Sequence, residues 1–230
     1  IDAPYYESLF AASIMDTSYG MAMKDKIWHD PFKQGDKFKD WIKKYYHGTL
    51  ILNVKEEGLA EKIISFLKGK DLLPSASESY LDIGSNYGWF VAKMEQIGFE
   101  SYGLEQDYIA ISVGIQMYGL KQEQIINSEL VSYLKNTSAT FDVVSFLSVL
   151  HHFELSQDST NIEELIRMID KLTNNVLFFE TAQGHEKAFT GRLSKWTDEF
   201  IIDWLKQNTT FKSIISLGQD DDCIPPFEDY

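Results

Sequence analysis

From Tyr80 to Phe90 the chain reads Tyr-Leu-Asp-Ile-Gly-Ser-Asn-Tyr-Gly-Trp-Phe, an apolar strand that runs into a turn with two glycines and then opens a helix. Such a corner is the first unit of an open α/β sheet, and these sheets bind ligands outside the carboxyl ends of their strands. Gly84 lets the backbone turn sharply and lets a ligand approach the main chain, while Gly88 permits close packing at the helix start. The strand ends in an acid, Asp82. An acid there is a poor neighbour for a pyrophosphate and a good partner for an ammonium group or for the amides of the turn. The spacing Asp-x-Gly-x-x-x-Gly therefore favours a nucleoside carrying an amino acid over a dinucleotide. The Gly-x-Gly-x-x-Gly turn of nicotinamide dehydrogenases is not present.

The flanking patterns place this corner in a larger sheet. Short apolar runs at Tyr80–Ile83, Ser101–Leu104, Gln124–Ile126, Phe141–Phe146, Asn175–Phe179 and Phe211–Leu217 read as strands. Helical periodicity lies between them near Trp89–Ile97, Tyr108–Tyr118, Glu129–Leu134, Asn161–Leu172 and Asp198–Lys206. Strands separated by helices imply right-handed crossovers and a mainly parallel sheet. Before residue 75 the patterns are helical, at Tyr5–Met15, Asp36–Tyr46 and Lys55–Leu67. The expected fold class is α/β: a Rossmann-like three-layer sandwich with a helical N-terminal extension. The extension is expected over residues 1–75 and the core over residues 76–230.

A second acid, Glu105, ends the next strand 21 residues after Gly84, where a carboxylate accepts hydrogen bonds from both ribose hydroxyls. Together these features resemble the class I S-adenosylmethionine-dependent methyltransferases. The first motif of that family is an apolar pair followed by Asp/Glu-x-Gly-x-Gly-x-Gly. This chain matches at Asp82, Gly84 and Gly88, with Asn86 in place of the middle glycine. Asn tolerates positive φ, so the turn survives the replacement. The resemblance implies S-adenosylmethionine as cofactor, held by Asp82, Gly84, Ser85, Asn86, Tyr87 and Gly88, with Glu105 on the ribose and Gln106 near the adenine edge. It also makes Ser128, Glu129 and Leu130 candidates to flank the adenine; Glu129 is equally read as a first-turn acid favoured by the helix dipole.

Phe141-Asp-Val-Val-Ser-Phe-Leu-Ser-Val-Leu-His-His-Phe resembles the fourth motif of the same family, a buried strand leading into a short loop beside the methyl group. By that resemblance Asp142 is structural, Phe146 and Leu147 line the methionine end of the cofactor, and His151 and His152 lie at the rim where an acceptor docks. Methylation of a hydroxyl needs in-line attack and loss of the acceptor proton, and a histidine is a suitable general base. His151 is the preferred base; the alternative is that both histidines are structural. Glu180, at the end of the fifth strand, is read as a group that orients a histidine, ligates a metal or holds the acceptor, or else pairs with the Arg192 region. No His/Asp/Glu spacing is specific enough to assign a metal. Trp28, Tyr45 and Tyr46 are candidates for an acceptor platform, with core packing as the competing role.

The stretch from Leu147 to Phe153, followed by a strand ending Phe179-Glu180, is similar to the methyltransferase half of bacterial O-antigen chain-terminating enzymes. That likeness implies O-methylation of a sugar of a glycan. The absence of a starting Met suits a domain of a longer viral or bacterial glycan-building enzyme. The net charge of −14 repels a phosphate backbone, so a nucleic-acid partner is disfavoured, and a sugar or other small-molecule acceptor fits better. The lysines between Lys33 and Lys44 read as the solvated face of an amphipathic helix. One cysteine excludes an internal disulfide, and no apolar run is long enough to span a membrane, so a cytoplasmic setting is expected. After Phe211–Leu217 no further strand is visible, so either the sequence stops before that strand or the sheet is short by one edge strand. Two other readings remain open: a methyltransferase for a protein, RNA cap or metabolite, and a non-catalytic module that keeps the fold to bind a partner.

Overall fold

The computed structural model describes residues 52–75, 77–155, 160–183, 191 and 193–218, with backbone alone for residues 52–58. The helices expected over Tyr5–Met15 and Asp36–Tyr46, together with Trp28, Tyr45, Tyr46 and Arg192, lie outside the described residues. Helix α1 (Leu52–Gly69) precedes the sheet. There follow β1 (Ser79–Ile83), α2 (Trp89–Gln96), β2 (Glu100–Glu105), α3 (Tyr108–Tyr118) and, after a 3-10 turn, β3 (Ile125–Asn127). Next come α4 (Leu130–Asn136), β4 (Phe141–Phe146), α5 (Leu150–Leu155), α6 (Ile162–Leu172), β5 (Thr173–Phe179) and α7 (Asp198–Asn208).

Every pairing is parallel and the strand order is β3-β2-β1-β4-β5. Strand order reverses between β1 and β4, and that switch point opens the ligand-binding crevice. The sheet is covered on both faces, which is why β1 and β4 are almost continuously buried. Side chains alternate across each strand. Leu81, Ile83, Val144 and Phe146 pack on one face against Leu165, Ile166 and Ile169 of α6 and against Trp204 and Leu205 of α7. Tyr80, Val143 and Phe178 pack on the other face against Ile63 and Leu67 of α1 and Met94 of α2. These are the three layers of the expected Rossmann-like sandwich.

Local chemistry explains the helix ends. Asp107 accepts from Ile109 N–H to cap α3, which stops at Gly119 with φ 70°. Asn161 accepts from Glu164 N–H and caps α6, whose apolar residues recur at Ile162, Leu165, Ile166 and Ile169. Asp142 accepts from the amide and hydroxyl of Ser79 at 2.8 and 3.0 Å and ties the entrances of β4 and β1, the structural role expected of it.

Two expectations are corrected. The segment Phe211–Leu217 forms no strand. Its apolar residues fall at positions 211, 214, 215 and 217, which is not the strict alternation a strand needs, and Ile215 and Leu217 remain substantially exposed. The stretch after β4, read as a loop, contains the helical turn α5, and this carries both adjacent histidines. No described helix is long and apolar enough to cross a membrane.

Candidate functional site

The β1–α2 turn is bound to the next strand: Gly84 N–H and Ser85 N–H both donate to Leu104 O, at 2.9 and 3.1 Å. Three of its residues are left-handed, Gly84 at φ 73°, Asn86 at 49° and Gly88 at 72°. Asn86 thus takes the conformation that replacing the family's glycine required. A Cβ on Gly84 would lie 2.6 Å from Val149 Cγ2, and one on Gly88 would lie 2.3 Å from Leu120 Cδ1. Tyr87 is buried between the two.

Asp82 lies two residues before Gly84 and is only 5% exposed. Ser145 Oγ donates to its Oδ1 at 2.5 Å. Burial pushes its carboxyl up to about 7; the Ser145 hydrogen bond pulls the other way, and the Glu105 charge adds to the rise. A cation placed beside it would restore the ionised form.

Glu105 ends β2 and faces the same turn. Its Oε2 accepts from Asn86 N–H at 2.9 Å, and its Oε1 accepts from Gln106 and Asp107 N–H at 2.7 and 2.8 Å. Burial raises its proton affinity and the three amides oppose that rise. A carboxylate has about four acceptor positions, so a ribose diol at Glu105 must share them with these amides. Gln106 is exposed beside it. Ser128 N–H donates to Glu105 O at 3.2 Å, which places the start of the β3–α4 corner next to the same acid. Glu129 instead caps α4: its two oxygens accept from Val131 and Ser132 N–H at 2.8 and 2.7 Å. Leu130 packs on the core beneath.

Two buried acceptors in the turn, Ser85 Oγ and Asn86 Oδ1, have no hydrogen-bond partner. Together with a buried acid, an acid at the next strand end and a left-handed glycine turn, they fit an amino-acid nucleoside that brings its own donors.

At the carboxyl ends of β4 and β5 lies the second cluster. Ser148, left-handed at φ 54°, donates its hydroxyl to Glu180 Oε2 at 2.6 Å and its N–H to Glu180 O at 3.3 Å. Glu180 N–H donates to Phe146 O at 3.2 Å. The two histidine rings touch at a tilt of 41°, with centroids 4.3 Å apart. His151 is 2% exposed and accepts from Ala182 N–H through Nδ1 at 3.4 Å. Burial, aided by His152, depresses its pKa to about 3. His152 is exposed. Phe146 is fully buried in the core beside Phe179, and strand alternation sends Ser145 rather than Phe146 toward Asp82. Leu147 is half-buried and lines a cavity of about 340 Å³ beside β5, with Phe66, Phe178, Glu180, Ile201 and Ile214. Asp82, Gly84 and Glu105 do not line this cavity. No cluster of His, Cys, Asp or Glu among the described residues has the geometry to hold a metal ion.

Sequence reasoning passed over Tyr80, Ser145, Ser148 and Val149. The polar hydroxyl at Ser145, inside an otherwise apolar strand, was the one signal available for the first pair.

A family model described as a methyltransferase domain matches residues 54–214. No curated protein matches the sequence. Among solved structures the chain is similar to magnesium protoporphyrin IX methyltransferase (ChlM) from Synechocystis PCC 6803 with bound SAH. The TM-score is 0.52 at 17% identity, covering 80% of this chain and 88% of that one. The same enzyme with bound SAM matches at 0.50 and 17%, covering 80% and 84%. WbdD, a bifunctional kinase-methyltransferase, matches at 0.50 and 16%, covering 66% of this chain and 30% of that one. In other WbdD structures the chain spans about a third of the length of its match, 35% and 34%. At these identities the likeness is one of fold. With the family match over most of its length, the chain belongs to the methyltransferase domain family, as a class I S-adenosylmethionine-dependent methyltransferase domain.

Proposed function

We propose that this domain methylates a hydroxyl of a sugar in a glycan, with His152 and Glu180 as the groups that handle the acceptor proton. The observation that carries this reading is the cluster of Ser148, Glu180, His151 and His152 at the carboxyl ends of β4 and β5. A hydroxyl must lose its proton as the new C–O bond forms, so its site needs a base within reach. S-adenosylmethionine supplies an electrophilic methyl group on a sulfonium. Asp82 and the 84–88 turn hold the cofactor, and Glu105 holds its ribose. His152 is exposed where His151 is buried with its Nδ1 engaged, so His152 takes the proton from the acceptor oxygen. His151 keeps the neighbouring ring in place. Ser148 fixes one oxygen of Glu180, which orients the acceptor. The acidic chain, at −14, suits a neutral polyol better than RNA.

The apolar lining of the cavity beside β5 favours a second reading, a hydrophobic metabolite that carries a hydroxyl or carboxyl group. Incubation of the protein with methyl-labelled cofactor and four acceptors (an oligosaccharide, capped RNA, a peptide and an apolar carboxylic acid) separates the readings. Label in the oligosaccharide alone supports the glycan reading; label in any other acceptor but not in the oligosaccharide overturns it. His152→Ala should lower kcat by about 10²-fold or more while leaving cofactor affinity unchanged.

A further inference from the structure

Two hydroxyls are buried behind the cofactor acid. Asp82 and Ser145 are direct partners in the parallel register of β1 and β4, and Tyr80 lies two residues before Asp82 on the same face. Ser145 is 0% and Tyr80 1% exposed. Ser145 Oγ is 2.5 Å from Asp82 Oδ1 and 2.6 Å from Tyr80 OH. A buried hydroxyl without a partner costs free energy, and an apolar residue would fill the Ser145 site more cheaply. The serine has one proton. When Asp82 is ionised that proton must go to the carboxylate, so Tyr80 must donate to Ser145. The chain then runs Tyr80 to Ser145 to Asp82. When Asp82 is protonated, its own O–H can donate to Ser145 and the serine can turn to Tyr80. In either state each of the three groups keeps at least one hydrogen-bond partner within the chain.

We propose that Tyr80 and Ser145 are positioning residues that hold Asp82 for the cofactor ammonium group and let it shed a proton as the cofactor binds. This rests on the reading that Asp82 faces that ammonium group. Among the described residues the charge acting on Asp82 is that of Glu105 on β2, which disfavours ionisation; Ser145 from β4 favours it, and the Tyr80 phenol backs Ser145. With Asp82 titrating near pH 7 and the cofactor's α-amino group losing its proton near pH 8, cofactor affinity rises with pH up to neutrality and falls again above about pH 8, and the acid limb reports Asp82. Removing the Ser145 donor moves that midpoint upward.

The test is calorimetric titration of the protein with S-adenosylmethionine between about pH 5.5 and 9, a window that brackets the raised Asp82 carboxyl and the cofactor's α-amino group. Wild type, Ser145→Ala, Tyr80→Phe and Asp82→Asn are compared. Ser145→Ala should bind about 10-fold more weakly at pH 6.5, the equivalent of one pK unit, and recover most of the loss at the alkaline end. Tyr80→Phe, which removes one oxygen and keeps the ring, should shift the midpoint the same way by less. A purely structural role would weaken binding equally at all pH values. Midpoints unchanged in both variants, with the acid limb lost in Asp82→Asn, overturn the proposal. Asp82→Asn with wild-type affinity and pH profile instead overturns the placement of the cofactor at Asp82. Tyr80→Phe alone decides the matter if Ser145→Ala does not fold.

Discussion

Ser148 is held in the left-handed region at φ 54° and donates its hydroxyl to Glu180 at 2.6 Å, across the carboxyl ends of two neighbouring strands. Left-handed backbone costs a non-glycine residue about 1–2 kcal/mol, and a hydrogen bond to a carboxylate offsets a similar amount. Ser148→Gly loses both together, so its melting temperature should stay near wild type. Ser148→Ala keeps the strain and loses the bond, so it should be less stable than the glycine variant by about 1 kcal/mol. Equal melting temperatures for the two variants would show that the backbone at this position carries no strain.

The turn should be as sensitive to volume as to conformation. Gly84→Ala brings a methyl group to 2.6 Å from Val149 Cγ2 and should weaken cofactor binding by moving the turn or Val149. Val149→Ala in the same chain removes the clash and should restore part of the affinity. A double-mutant cycle by calorimetry measures the coupling; additive losses would place the defect elsewhere.

Glu105 and Glu129 should behave differently although both are acids at strand–helix corners. Glu105→Ala should weaken S-adenosylmethionine binding by about 10-fold or more, the size of loss expected when a hydrogen-bonded charged group is removed. Glu129→Ala removes a helix cap and should cost about 1 kcal/mol of stability while leaving cofactor affinity unchanged. Chemical denaturation and calorimetry on the two variants check this, and weakened cofactor binding in Glu129→Ala would return that residue to the adenine site.

Two buried groups should tilt stability in opposite directions with pH. The folded pKa of Asp82 is raised from its ordinary 3.8 to about 7, so its contribution is present at acid pH and lost as pH rises through about 7. That of His151 is depressed from 6.5 to about 3, so its contribution is present above 6.5 and lost as pH falls toward 3. In urea titrations of cofactor-free protein, Asp82→Asn should therefore gain stability relative to wild type on going from pH 5 to 8. His151→Gln should gain relative to wild type on going from pH 8 to 5. A flat difference for either variant would show that its parent group is not buried in the way the fold implies.

The sequence by itself determined what is local. The turn from Tyr80 to Phe90, the acid at Glu105, the stripe on α6 and the alternation of strands with helices each depend on residues a few positions apart, so periodicity and glycine spacing reveal them. The strand expected at Phe211–Leu217 failed because its apolar residues break alternation at 214 and 215 and no neighbouring strand among the described residues pairs with it. Only the tertiary structure decided which face each strand residue takes and what stands opposite. Strand alternation buried Phe146 and sent Ser145 to Asp82, 63 residues away in the chain. The turn after β4 brought Ser148 to Glu180 across 32 residues, and helix α5 buries His151 while leaving His152 exposed. These pairings follow from the register of β4 with its two neighbours, and a one-residue slip would exchange every face.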